Sequence, residues 1–225
     1  REFKSLDRFR RLLRRVREIA CKRKAFCSSL TYWEDRYSAG GDSGAGSRTF
    51  FAEFKAEVLN AFVAAHPART VIEFGCGDGY QLRLANYPTY LGLDVSDTAI
   101  SRCREIFESD RDKSFSLMSE YNGEHADLAL SLDVIYHLVE EDVFKQYMKT
   151  LFGASDRYVI IYSSDTDDNR GNTSKHIRHR NFSRWVKENQ PDWKLADRIP
   201  NRYPYRGDYT KGSFADFYIY EKTSS

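Results

Sequence analysis

The residues Glu73-Phe74-Gly75-Cys76-Gly77-Asp78-Gly79 combine a glycine-rich turn with two carboxylates. Ahead of them, Thr70, Val71, Ile72 and Phe74 are good strand formers. The glycines allow φ > 0 and let a ligand lie against bare backbone. A helix starting near Tyr80 and Gln81 would point free N–H groups at that ligand. In a dinucleotide fold such groups bind pyrophosphate, with the spacing G-x-G-x-x-G. Here the spacing is G-x-G-x-G. Glu73 and Asp78 would repel a pyrophosphate but attract a ligand carrying an ammonium and a sulfonium. A second apolar segment, Tyr90-Leu91-Gly92-Leu93-Asp94, ends on an acid roughly 20 residues beyond Glu73, where it can accept hydrogen bonds from ribose hydroxyls.

At these residues the chain resembles the class I S-adenosylmethionine (SAM)-dependent methyltransferases. Glu73 to Gly79 looks like their first motif, and Leu91-Gly92-Leu93-Asp94-Val95-Ser96 like their second. The resemblance covers residues 51–221 and implies SAM as cofactor, with S-adenosylhomocysteine (SAH) as product. It also implies an α/β fold: a Rossmann-like, seven-stranded, mostly parallel sheet with helices on both faces, the last strand antiparallel and inserted beside the fifth. Glu73, Gly75, Gly77, Asp78, Asp94, Val95 and Asp133 would then hold the cofactor. Ser119 and Glu120, with Tyr121 after the third strand, would supply a polar or acidic group to the adenine. N-terminal segments in this family often fold over the cofactor. Tyr32-Trp33-Glu34-Asp35-Arg36-Tyr37 and the glycine- and serine-rich stretch 38–47 are accordingly expected to form a lid. Trp33, Arg36 and Tyr37 would anchor it, Tyr32, Trp33 and Arg36 would touch the cofactor, and Ser43 and Gly44 would lie near the SAM carboxylate, with which Arg36 could pair. A flexible linker is the alternative.

The elements that must position these residues follow from periodicity. A helix is expected over 51–66, ended by Pro67. Strands are expected over 70–75, 90–95, 114–118, 127–133, 157–163, 193–199 and 216–221. Helices are expected from Tyr80, from Asp97 as N-cap to Glu108, over 141–152 and over 181–189. Alternating strands and helices imply a parallel sheet covered on both faces. Leu6, Phe9, Leu12, Leu13, Val16, Ile19 and Ala20 recur at helical spacing in a segment otherwise rich in arginine. The organisation expected is a basic amphipathic extension over 1–29, a lid over 30–49 and a cofactor-binding domain over 50–225.

Ligands in such sheets bind at the carboxyl ends of the strands. Past the fourth strand lies Ser131-Leu132-Asp133-Val134-Ile135-Tyr136-His137. Methyl transfer needs an oriented nucleophile and a group that removes its proton. His137 matches the position from which oxygen methyltransferases of the resembled family often present a base. His176 and His179, inside Lys175-His176-Ile177-Arg178-His179-Arg180, are the other candidates, and the cations around them suggest an anionic acceptor. Arg202, Tyr203-Pro204-Tyr205 and Arg206 could wall the acceptor side. Asp133, Asp165, Asp167 and Asp168 raise Mg²⁺ as a further cofactor, although Asp is also an ordinary loop residue. The fourth-strand sequence is not the Asn/Asp-Pro-Pro-Tyr used on exocyclic amino groups, and there is no Pro-Cys pair for cytosine chemistry. O-methylation of a sugar, glycan or small hydroxylated acceptor is therefore the leading expectation. N-methylation of a small amine or protein, or an inactive SAM-binding partner subunit, are the alternatives.

Composition bounds the rest. A chain of 225 residues with 41% hydrophobic residues suits one domain. A net charge of +2 gives no global field for nucleic acid. Cys21, Cys27, Cys76 and Cys103 show no C-x-x-C spacing, as expected of a reduced, cytoplasmic chain without structural zinc. No apolar run reaches the ~18 residues needed to span a bilayer. Residues 1–24 are a candidate contact to an anionic membrane surface or a partner protein. The chain starts at Arg1 rather than Met, as a fragment or a processed chain does.

Overall fold

A computed structural model describes residues 28–172 and 174–223. The expected basic extension, with Cys21 and Cys27, lies outside the described residues up to position 27. Strands β1 (Thr70–Phe74), β2 (Thr89–Asp94), β3 (Lys113–Leu117), β4 (Ala126–Leu132), β5 (Ser155–Ser163), β6 (Trp193–Ile199) and β7 (Asp216–Lys222) form one sheet. Its order is β3-β2-β1-β4-β5-β7-β6. The first five strands run parallel, and β7 is antiparallel to both β5 and β6. This is the expected architecture, down to the last strand inserted beside the fifth.

Helices α1 (Ser29–Ser38), α2 (Thr49–Ala65), α3 (Asp97–Ile106), α4 (Glu141–Gly153) and α5 (Phe182–Asn189) complete the fold. Side chains alternate across each strand, so neighbouring residues enter different layers. Val71, Leu128 and Ile160 pack with Phe54 and Leu59 of α2 and Ile100 and Cys103 of α3. Ile72, Ala129 and Val159 pack with Phe144, Met148 and Leu151 of α4 and Phe182 and Val186 of α5. Each fully buried Phe, Leu or Ile contributes about 1.5–3 kcal/mol. These two layers hold the carboxyl ends of β1 and β4 in fixed register: Val71 lies beside Leu128, and Glu73 beside Leu130. The chain leaves β1 for β2 on one side and returns to lay β4 on the other. That reversal opens a crevice at the strand ends.

Two local expectations need correction. No α-helix starts at Tyr80; a 3₁₀ turn, Gln81–Leu84, stands there instead. Pro88 and the start of β2 at Thr89 follow closely, and Pro88 biases the residue before it away from helical backbone. Asn60 of α2 closes the turn, donating to the Leu84 carbonyl (2.8 Å) and accepting from Asn86 N–H (2.9 Å). The N-cap of α3 is Ser96 rather than Asp97: its hydroxyl accepts from Ala99 N–H at 3.1 Å, and Asp97 lies in the first turn.

Candidate cofactor and acceptor site

A cavity of about 710 Å³ opens at the strand ends. Its floor is the glycine turn. Gly75 and Gly77 sit at φ +88° and +60°. A Cβ on Gly75 would come within 2.5 Å of Val134 Cγ2, and one on Gly77 would collide with the Ser43 hydroxyl. The turn therefore needs glycine at both positions. Its N–H groups are not left free for a ligand, as the expected helix start implied. Gly77 N–H donates to Asp94 Oδ2 (2.9 Å) and Asp78 N–H to Ser43 Oγ (3.1 Å).

Two buried acids line this end of the cavity. Burial pushes Asp94 up to about 6, against the N–H donations of Ser96 and Gly77. Burial pushes Glu73 up to about 7, against the Tyr90 hydroxyl and the Lys55 charge. Tyr90 Oη donates to Glu73 Oε2 at 2.7 Å. Gln81 Oε1 is buried on the cavity wall without a hydrogen-bond partner among the described residues. Two desolvated acids, an orphaned amide oxygen and a bare backbone turn fit a cationic ligand with hydroxyl and ammonium donors. SAM is such a ligand.

Helix α1 crosses the cavity, tied at both ends. Glu34 accepts from Ser96 Oγ (2.5 Å) and Thr98 Oγ1 (2.7 Å) at the start of α3. Burial opposes ionisation of Glu34, but these hydrogen bonds outweigh it and hold the carboxyl below the usual range. At the other end Ser29 N–H and hydroxyl donate to Glu140, just ahead of α4. Arg102 donates to the Tyr37 and Gly41 carbonyls, both at 2.7 Å. Tyr32, Trp33, Arg36, Ser43 and Gly44 all line the cavity. Arg36, however, is engaged with Asp42, donating to its carbonyl (2.6 Å) and its carboxylate (3.3 Å).

The opposite wall comes from the end of β4. Asp133 takes the left-handed φ of +60°. Its Oδ1 accepts from Tyr136 Oη and its Oδ2 from Lys55 Nζ, both at 2.7 Å. The three candidate histidines converge here. His137 Nδ1 lies 3.1 Å from the His176 carbonyl oxygen, its ring 4.8 Å from Trp33 and 5.6 Å from His176. A carbonyl can only accept, so Nδ1 carries the proton and Nε2 keeps its lone pair. Burial pushes His137 down to about 4. His176 stacks on Tyr32 at 4.4 Å, and burial and Arg36 lower it. His179 Nδ1 lies 2.7 Å from Ser164 Oγ; burial lowers it, against Asp168.

Of the residues expected at the site, Glu73, Gly75, Gly77, Asp94, Val95, Asp133, His137, His176 and His179 also line this cavity. Asp78, Ser119 and Glu120 do not. Asp78 instead ties the lid loop down, accepting from Ser43 N–H (3.2 Å) and Arg48 (3.0 Å). Glu120 folds back on its own turn, accepting from Leu117 N–H at 3.0 Å, and Met118 takes the cavity position. The acceptor-side cations are also diverted. Arg180 donates to the Leu138 (2.5 Å) and Val139 (2.9 Å) carbonyls, Arg178 to Val139 (3.2 Å), and Arg202 to Glu57. Tyr203 packs among Phe50, Phe51 and Phe54, whereas Tyr209 and Phe214 line the cavity. Asp165 holds Ser183, Asp167 holds Asn181 and Arg184, and Asp168 holds Arg170. No three His, Cys, Asp or Glu among the described residues form a metal-ligand set, so the carboxylates raised for Mg²⁺ do not converge.

Lys55 was not among the expected site residues. Its signal was present: it replaces an apolar residue midway between Phe51 and Leu59, at four-residue spacing on the inner stripe of α2. For Tyr209 and Phe214 no periodic signal exists, because loop positions carry none.

The sequence model of a family described as a methyltransferase domain matches residues 72–152. No curated protein matches the chain significantly. Among solved structures, the N-methyltransferase NodS from Bradyrhizobium japonicum WM9, in complex with SAH, superposes with a TM-score of 0.68 at 12% identity, over 88% of this chain and 100% of that one. Magnesium protoporphyrin IX methyltransferase (ChlM) from Synechocystis PCC 6803, with bound SAM, gives 0.62 at 16% identity, over 89% and 100%. The methyltransferase domain of bacterial CtHen1-C gives 0.59 at 18%, over 76% and 97%. At these identities the structures establish the shared fold, and the family match spans the glycine turn, Asp94 and the end of β4. Residues 72–152 thus match a methyltransferase domain, and the chain shares the fold of methyltransferases solved with SAM or SAH.

Proposed function

We propose that this SAM-dependent methyltransferase methylates a hydroxyl oxygen of a small, ring-bearing acceptor, a sugar or an aryl compound, with His137 as the base. The observation that carries this reading is the fixed tautomer of His137 on the cavity wall. SAM, when bound, supplies an electrophilic methyl group on a sulfonium. Asp94 and Glu73 hold the adenosyl end and the positive charge, while α1 excludes water from above. Tyr32, Trp33 and Phe214 offer ring faces to an acceptor on the histidine side.

With its folded value near 4, His137 is neutral at pH 7 and weakly basic. That strength suffices when the proton leaves late, because an oxygen that has begun to bond carbon is strongly acidic. Nε2 then receives the proton while Nδ1–H stays on the His176 carbonyl. His137→Ala should lower methyl transfer by about 10²–10⁴-fold, with SAH affinity within about twofold, as expected of a group that acts on the acceptor's proton. Unchanged turnover would remove His137 from the mechanism. An N-methyltransferase among the neighbours in fold keeps nitrogen acceptors in the same screen.

A further inference from the structure

Lys55 is 1% exposed, yet it lines the cavity. A buried ammonium is tolerated only when paired, and Asp133 Oδ2 pairs with it at 2.7 Å. Asp133 is itself fixed from the other side by Tyr136 Oη, and its backbone takes the left-handed φ of +60°, which Asp tolerates better than most side chains. The ammonium therefore has one position. It owns three N–H donors. Asp133 takes one, and the Tyr162 ring lies 5.3 Å away. The remaining donor capacity has no protein acceptor among the described residues. For packing alone, Leu or Met would fill the same place on α2 without desolvating a charge. A pre-positioned ion pair with donors to spare on a cavity wall is a feature of binding sites.

We propose that Lys55 is a ligand-binding residue: its ammonium, held by Asp133 and Tyr136, donates to a carboxylate or hydroxyl oxygen of the molecule in the cavity. That oxygen is either the α-carboxylate of the cofactor or an oxygen of the acceptor, because Lys55 stands beside the charge of Glu73 at the end of β1, Asp133 after β4 and Tyr162 of β5. Arg36, held by Asp42, is the other cation on the cavity wall. The proposal rests on this cavity holding cofactor and acceptor, but not on the acceptor atom being oxygen.

The test is calorimetric titration of the full chain and of Lys55→Met with SAH and with 5′-methylthioadenosine, which keeps the nucleoside but lacks the amino-acid carboxylate. Transfer of labelled methyl from SAM to a panel of methyl glycosides, hydroxybenzoates and amines is measured in parallel. If the oxygen is the cofactor's, Lys55→Met weakens SAH by about tenfold or more and methylthioadenosine by less than about twofold. If it is the acceptor's, both nucleosides keep their affinity, and transfer to acceptors used by the unaltered chain is lost or its KM rises by about tenfold or more. Equal weakening of both nucleosides marks a structural lysine and overturns the proposal. Unchanged SAH affinity with no acceptor lost overturns it as well. Should Lys55→Met not fold, Lys55→Met/Asp133→Asn removes the stranded carboxylate and is read in the same way. Selective loss of SAH affinity in a chain that methylates only amines leaves Lys55 in place and removes the oxygen-transfer reading.

Discussion

Glu73 and Asp94 are acids buried where water cannot stabilise their charge, and that shapes the pH behaviour of the ligand-free protein. Glu73 has a folded value of about 7 against an ordinary 4.5. Its contribution to stability is full below 4.5 and is lost as pH rises through 7. Asp94, at about 6 against 3.8, acts in the same direction at lower pH. His137, at about 4 against 6.5, acts oppositely: its contribution is present above 6.5 and lost as pH falls through 4. Between pH 6.5 and 8 Glu73 therefore dominates among the three. Ligand-free protein should lose roughly 1 kcal/mol over pH 6 to 8, a few degrees in Tm. Glu73→Gln should flatten that fall in a thermal-denaturation series, and an undiminished slope would place the titration elsewhere. At this scale the sequence was most legible where spacing dictates chemistry. Glu73, Gly75, Gly77 and Asp94 are fixed by a strand, a turn and the next strand. Glu120 and Asp78 do not line the cavity, because a carboxylate next to a turn satisfies nearby N–H groups as readily as a ligand, and spacing alone does not separate the two.

Among the elements, α1 turns a linker-like sequence into a cover. Glu34 binds it to the start of α3, Ser29 binds it to Glu140, and Asp78 binds the following loop to the glycine turn. Glu34 satisfies orphan donors at a helix N-terminus, an arrangement that typically contributes about 1 kcal/mol. Glu34→Ala should raise amide hydrogen exchange over residues 29–47 by about fivefold, the equivalent of that 1 kcal/mol, with Tm lowered by no more than about 5 °C. SAH should restore protection. Exchange unchanged in the variant would mean the clamp does not hold the lid. The aromatic residues next to the glycine-serine stretch signalled something beyond a linker, but the partners that make α1 a cover lie far away in sequence. The stretch after Gly79 that forms no α-helix runs to Pro88, which biases Tyr87 away from helical backbone.

For the molecule as a whole, seven strand periods and their alternation with helices are readable in the sequence. The antiparallel insertion of β7 beside β5 came from the family resemblance, because that pairing joins residues separated by most of the C-terminal third. The far cavity wall was the least legible part: Lys55, Tyr136, Tyr209 and Phe214 come from a helix, a turn and a loop that meet only after folding. A cofactor that enters such a preformed cavity stabilises the folded state alone. SAH at about a hundred times its Kd should add roughly 2.7 kcal/mol and raise Tm by about 5–10 °C. A Tm that does not move with saturating SAH would contradict a cavity formed for it.

The most direct measurement is calorimetric titration of SAM into the unaltered chain and into Asp94→Ala. The cavity described here predicts one SAM bound per chain, with affinity falling by about 10–100-fold in the variant as ribose hydrogen bonds to a charged acceptor are lost. Absence of SAM binding to the unaltered chain, or equal affinity in the two proteins, would contradict the assignment of the cofactor to this site.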